Sequence, residues 1–193
     1  MRIIAGTARG RLFDAPEGLA TRPTLDRVRE AMFGMIQFDV PGSSVLDLFA
    51  GSGGLGLEAL SRGATSVDFC DISKKACELI ARNCKNLGFS DRSAIHCSDC
   101  FVLIERLAMQ KRKYSLVLLD PPYESGLYKP VLKALTDFDL LEDGCIILAE
   151  HPVKLDIDPG LSCLRTGKPH RYGDVAVTKL IYESGLIDRG SEE

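Results

Sequence analysis

The sequence predicts an α/β fold: a mostly parallel central sheet with helices on both faces, an antiparallel hairpin at its C-terminal edge and a small N-terminal extension. Three observations carry this. Short apolar runs alternate with helical patterns from residue 44 to 149, which is how right-handed βαβ crossovers read. The helical patterns cease after Pro152, where strand-like segments separated by Pro and Gly follow. The first forty residues follow neither pattern.

Taken in order, Arg2–Ile4 and Arg11–Phe13 flank glycines in the manner of a small hairpin, and Thr24–Gln37 places Val28, Met32 and Ile36 on one helical face. Ser44–Leu48 reads as a buried strand that runs into the turn Gly51-Ser52-Gly53-Gly54 and a helix through Leu57, Ala59 and Leu60. Ser66–Asp71 is a second strand. Ser73 then serves as the N-cap of a helix that reaches Leu87 and stops at Gly88. A third strand at Ser93–His96, a helix at Phe101–Met109, a fourth strand at Tyr114–Leu119, a helix at Tyr128–Thr136 and a fifth strand at Cys145–Ala149 complete the alternation. Leu161–Leu164 and Val175–Tyr182 are expected to form the terminal hairpin. These readings divide the chain into an extension at 1–40, one α/β domain at 41–185 and a polar, disordered tail at 186–193.

Composition narrows the class. With 193 residues, 26% charged and 45% hydrophobic, the chain suits one globular domain with its own core. No apolar run approaches the roughly 18–20 residues that span a bilayer, and the opening residues contain no apolar signal core, so a cytoplasmic protein is expected. The seven cysteines are odd in number and scattered, which argues against a disulfide framework. The lone Cys97-Ser98-Asp99-Cys100 has no second pair at zinc-site spacing, so no metal is expected, and Cys77 and Cys84 fit a helix's core face. The net charge of −3 hides a segregation. Arg2, Arg9, Arg11, Arg22, Arg27 and Arg29 crowd the N-terminus, Lys168, His170 and Arg171 form a second group, and acids gather elsewhere.

Gly51-x-Gly53-x-x-Gly56, placed after a strand and before a helix, lets a nucleotide cofactor approach the backbone. Asp71 stands where such folds hold a ribose. Asp47, at the end of the first strand, would repel a pyrophosphate but attract the ammonium and sulfonium of S-adenosylmethionine. Asp99 is placed to reach an adenine edge or to cap the helix that follows. Together these acids favour S-adenosylmethionine over a nicotinamide dinucleotide.

Asp120-Pro121-Pro122-Tyr123 follows the fourth strand directly. The two prolines stiffen the turn, so a planar exocyclic amine can donate one hydrogen to the Asp120 carboxylate and the other to the Pro121 carbonyl while Tyr123 stacks on its ring. Two acceptors raise the density on nitrogen and aim its lone pair for in-line methyl transfer.

On these residues the chain resembles the Rossmann-type S-adenosylmethionine-dependent methyltransferases. More narrowly it resembles the RsmD-type family, bacterial enzymes that methylate the N2 amine of a guanine in 16S ribosomal RNA. The most specific part is Arg22-Pro23-Thr24 through Asp26-Arg27-Val28-Arg29-Glu30-Ala31 to Phe33; the resemblance also includes Arg171-Tyr172-Gly173-Asp174 late in the chain. The resemblance implies that Gly51, Ser52, Gly53 and Gly56 meet the methionine and ribose portions of the cofactor, that Asp71 holds the ribose, and that Asp99 and Cys100 hold the adenine. It further implies that Asp120, Pro121, Pro122 and Tyr123 form the target-amine site and that Arg11, Arg22, Arg27, Arg29, Lys168, Arg171 and Tyr172 face RNA. The expected partner is 16S rRNA within an assembling or assembled small subunit, met by a monomer. Alternatives from other classes are an N6-adenine methyltransferase acting on DNA or RNA, a nicotinamide oxidoreductase and a non-catalytic RNA-binding module.

Overall fold

The computed structural model describes residues 1–15, 23–123 and 125–186. Eight strands form one sheet in the order β3-β2-β1-β4-β5-β8-β6, with β7 also paired to β8. The first five strands are β1 (Ser44–Asp47), β2 (Ser66–Asp71), β3 (Ser93–Cys97), β4 (Tyr114–Leu119) and β5 (Leu141–Pro152). They are parallel, and β8 (Val175–Tyr182) joins β5 antiparallel. The strand order reverses direction between β1 and β4, the switch point outside whose carboxyl ends open α/β sheets bind ligands.

Two apolar layers sandwich this sheet. Helices α1 (Pro23–Met35), α2 (Gly54–Ser61) and α3 (Lys74–Leu87) cover one face through Met32, Phe33, Leu57 and Ile80. On the other face, α4 (Cys100–Met109) and α5 (Tyr128–Asp137) pack Leu103, Leu132 and Leu135 against Val117 and Ile147. The caps follow the sequence. Ser73 Oγ accepts from the Ala76 amide at 3.3 Å, and Gly88, at φ 80°, lets the Phe89 amide turn back to the Cys84 carbonyl at 2.8 Å. Cys77 and Cys84 are buried on α3, as the helical face predicts.

The sheet edge departs from expectation in two places. β5 runs past Ala149 to Pro152, because β8 pairs with it residue by residue from Ile146 to Pro152. The partner of β8 is not Leu161–Leu164 but two short strands, β6 (Leu164–Thr166) and β7 (His170–Tyr172), laid end to end along it. The tight hairpin is thus β7–β8, turning at Gly173 and Asp174.

The N-terminal segment is tied to α2. An antiparallel bridge joins Arg2 and Leu12, and Gly10 donates its amide to the Ile3 carbonyl at 2.9 Å. The fully buried Glu58 accepts the amides of Ile4 and Ala5 at 2.8 and 3.0 Å, while Ser61 takes the amide of Ala8 at 3.0 Å. Gly6 is needed for this docking, since a Cβ there would lie 1.9 Å from the Ser61 carbonyl oxygen. Among the described residues no helix is long and apolar enough to cross a membrane.

Candidate active site

The carboxyl ends of β1 to β4 deliver their acids to one edge. Asp47 ends β1, Asp71 ends β2, Asp99 follows β3 and Asp120 follows β4. A pocket of about 480 Å³ opens there, within the range of small-molecule sites. Asp71, Asp99, Cys100 and all four residues from Asp120 to Tyr123 line it, together with Phe49, Ile72 and Leu127.

Asp71 is held between two amides. Gly51 donates to its Oδ2 and Ser73 to its Oδ1, each at 2.8 Å, which links the glycine loop to the pocket wall. An ionised carboxylate has lone pairs to spare on both oxygens, so the held side chain can still accept from a diol. Ile72 beside it is 77% exposed, a large apolar side chain presented to the pocket rather than to the core. Asp99 caps α4, the second of the two roles the sequence allowed. Its Oδ1 accepts from Phe101 and Val102 at 2.8 and 3.3 Å, and the residue also forms part of the pocket wall.

The glycine loop divides into different tasks. Gly53, at φ 83°, adopts the left-handed backbone that opens α2. Gly56 is buried and does not reach the pocket, contrary to its expected cofactor contact. A Cβ there would meet Phe69 at 2.2 Å, so this glycine serves the close packing of α2 on β2. Ser52 is anchored through its carbonyl, which accepts from Asn83 Nδ2 at 3.1 Å. Asp47 is likewise withdrawn. It is 1% exposed, and its Oδ2 accepts from the Gly56 amide at 2.9 Å, so it braces the loop from behind. Burial, with the charge of Asp71 behind it, pushes its pKa up to about 7 against the opposing Gly56 hydrogen bond.

Asp120 is exposed at the pocket, yet the protein groups crowded around its carboxyl strip part of its hydration, and this, then the charges of Glu150 and Asp47, raises its pKa to about 8. Tyr123 is 45% exposed, and its hydroxyl donates to Glu150 Oε1 at 3.2 Å. Tyr128 donates to the Glu150 carbonyl at 2.7 Å, and Ser125 closes the turn by donating its amide to the Pro122 carbonyl at 2.9 Å. The outcome is a ring face held at the mouth of the pocket beside a carboxylate. Glu150 was not visible as a site residue in the sequence; nor were Phe49, Ile72 and Leu127, although Ile72 is an apolar residue in an otherwise polar turn.

The expected RNA-facing residues do not form one surface. Arg27 is exposed on α1. Arg29, by contrast, is 3% exposed: it donates to the Arg2 carbonyl at 2.6 Å and to Asp26 at 2.9 Å, and lies 3.9 Å from Glu58. Its guanidinium is consumed in holding the N-terminal segment and is not presented to RNA. Arg11 is exposed yet bonded to the carbonyls of Leu87 and Asn86, at the C-terminal end of α3. In β7 the alternation of side chains puts His170 and Tyr172 on one face and Arg171 on the other, so Arg171 does not join them. Arg22 lies outside the described residues.

Comparison with known proteins agrees with this architecture. The family described as conserved hypothetical protein 95 matches residues 1–181. A relative from Bacillus subtilis (strain 168), named "Putative rRNA methyltransferase YlbH", is 35% identical over 173 residues, covering 90% of this chain and 94% of its own. "Ribosomal RNA small subunit methyltransferase D" of Escherichia coli (strain K12) is 32% identical over 154 residues, covering 80% of this chain and 76% of its own. The solved structure of "Putative methyltransferase yhhF" from Escherichia coli superposes with a TM-score of 0.81 at 30% identity, covering 95% of this chain and 98% of that one.

Proposed function

We propose a function from the premise that this chain belongs to the conserved hypothetical protein 95 family, that of the RsmD-type methyltransferases: it transfers a methyl group from S-adenosylmethionine to the exocyclic N2 amine of a guanine in 16S ribosomal RNA. The single observation that carries the mechanism is the placement of Asp120-Pro121-Pro122-Tyr123 in the same pocket as Asp71 and Asp99, at the sheet's switch point.

The residues present fit the cofactor. Asp71, held by two amides, suits a ribose diol, and Ile72 and Phe49 offer apolar walls to a flat ring whose edge Asp99 and Cys100 can meet. When bound, S-adenosylmethionine supplies an electrophilic methyl group on a sulfonium. Asp120 accepts one hydrogen of the guanine amine and the Pro121 carbonyl the other, which turns the nitrogen lone pair toward the methyl group. Tyr123, its hydroxyl tied to Glu150, stacks on the purine. With its raised pKa, Asp120 is matched to taking the proton that the amine releases near neutral pH, directly or through water.

A guanine must leave its helix to reach such a pocket, so the substrate is a nucleotide splayed from a loop. We read residues 1–40 as the unit turned toward RNA and 41–185 as the catalytic unit, with Arg27, Lys168 and Tyr172 among the contacts that set register. The expected setting is a cytoplasmic monomer acting on an assembling small subunit. The test is to offer labelled S-adenosylmethionine with small-subunit particles, free rRNA and DNA. Label on either RNA substrate supports the reading, and label on DNA alone overturns it.

A further inference from the structure

A second concavity, of about 630 Å³, lies at the other end of the sheet, where β6, β7 and β8 meet the end of α1. Arg165, Lys168, His170 and Lys179 surround it, with Met35 and Ile181 as its apolar part. Four basic side chains around one hollow are unexpected in a chain of net charge −3. Two of them are partly answered. Arg165 donates through Nε to Glu183 at 2.6 Å while its side chain stays 63% exposed, and Lys179 lies 3.5 Å from Asp39. Lys168 and His170 are exposed and make no ion pair among the described residues.

The loop that carries Lys168 is fixed in place. The Gly167 amide donates to the Lys179 carbonyl at 2.9 Å, and a Cβ at 167 would come within 2.7 Å of that oxygen, so the loop lies flat on β8. Pro169 stiffens its far side. The backbone that carries Lys168 is therefore fixed, which lowers part of the ordering cost of binding. Phe38, one residue before Asp39, is 88% exposed, an aromatic side chain left in solvent next to the residue that reaches Lys179.

The sheet register relates this hollow to the active site. One residue beyond the Leu119–Ala149 pair, Asp120 stands beside Glu150; Glu150 pairs with Val177, and Val177 with His170. Three strand spacings of about 4.8 Å therefore put His170 roughly 14 Å from Asp120. The active-site pocket is lined by carboxylates, which repel a phosphodiester and admit only the base. Arg165 pairs with Ile181 and Ile181 with Ile146, four residues back from Glu150, so the hollow reaches further from Asp120 than His170 does and suits a phosphate beyond the target nucleotide's own.

We propose that the Arg165–Lys168–His170–Lys179 pocket holds a backbone phosphate of the substrate RNA on one flank of the target nucleotide, with Phe38 stacking on a neighbouring base. The proposal rests on the rRNA reading above. Its chemistry is that of single-strand binding, in which charge tracks the backbone and aromatic faces take bases of any identity.

The test measures binding of small-subunit rRNA over a series of salt concentrations, together with methyl transfer to the same RNA, for the wild type and three variants. Arg165→Glu/Lys168→Glu is expected to weaken RNA binding tenfold or more and to flatten the plot of log affinity against log salt by about 1.4, at roughly 0.7 per contact to a single strand. Lys168→Ala, a milder change should the double reversal disturb folding, flattens it by about 0.7. Phe38→Ala weakens binding about 5-fold or more and leaves the slope unchanged. In all three, KM for RNA rises, while kcat and the calorimetric affinity for S-adenosylmethionine hold. If the wild type methylates rRNA and the charge variants bind it with the same affinity and slope, the pocket assignment is overturned and the functional reading stands. If the wild type methylates no rRNA, the functional reading fails and the pocket's ligand with it.

Discussion

Tyr123 and Glu150 are joined by a 3.2 Å hydrogen bond in which the phenol donates to Oε1, so the ring proposed to meet the target base is oriented by an acid 27 residues further along the chain. Glu150 is 7% exposed, and its charge also acts on Asp120. One side chain thereby orients the Tyr123 ring and adds, after desolvation, to the raised proton affinity of the adjacent carboxylate.

A pH profile follows from this pairing. The Asp120 pKa is raised, and transfer requires the ionised form, so kcat/KM is expected to rise with pH through the neutral to mildly alkaline region and then level. Glu150→Gln removes a negative neighbour, and the rising limb should move to lower pH; the bound sulfonium, a positive neighbour, should move the limb in kcat the same way. A profile for Glu150→Gln that coincides with wild type would show that the two carboxylates do not communicate.

Asp120→Asn keeps the size of the side chain while presenting an amide in place of a carboxylate, so it neither takes the amine proton nor strengthens the nucleophile. Transfer is expected to fall about 10²–10⁴-fold. Calorimetry should give an S-adenosylmethionine affinity near that of wild type. Loss of both together would place Asp120 in cofactor binding instead.

Gly56→Ala should act on folding. The added Cβ would sit 2.2 Å from a ring carbon of Phe69 and 2.9 Å from Val67, and overpacking of this kind costs about 1–3 kcal/mol or more. Denaturant unfolding measures it directly. A variant as stable as wild type but unable to bind cofactor would return Gly56 to the role that its motif suggests.

Arg29→Ala separates architecture from recognition. The substitution removes the bonds to the Arg2 carbonyl and Asp26 but leaves the fully buried Glu58 compensated by Arg62, 2.7 Å away, so the loss is that of charge-assisted hydrogen bonds, about 1.5–3 kcal/mol. Stability is therefore expected to fall, with the salt dependence of RNA binding unchanged in the folded fraction. Arg27→Ala, on the exposed side of α1, should do the reverse and flatten the salt slope by about 0.7.

The asymmetry between Arg27 and Arg29 shows what a sequence alone conveys about this protein. Local rules carried far: the Ser73 cap, the Gly88 stop and the span of β2 follow from side-chain hydrogen bonding, left-handed glycine and apolar runs, all of which act within a few residues. The acids at strand ends were legible for the same reason, since a parallel sheet brings every carboxyl end to one edge. What stayed hidden depends on distant partners. Arg29 is buried because the N-terminal segment folds across α2, Asp47 faces the loop because Gly56 returns to it, and Glu150 belongs to β5 only through its pairing with β8. Neither composition nor periodicity encodes those meetings.

Asp120 and Pro121 are proposed to present a guanine N2 amine for methylation. Nucleoside digestion and mass spectrometry of small-subunit rRNA, methylated by the wild-type protein with labelled S-adenosylmethionine, test it most directly. Label is expected in N2-methylguanosine. Label in N6-methyladenosine would contradict the choice of base while leaving the Asp120-Pro121-Pro122-Tyr123 geometry in place.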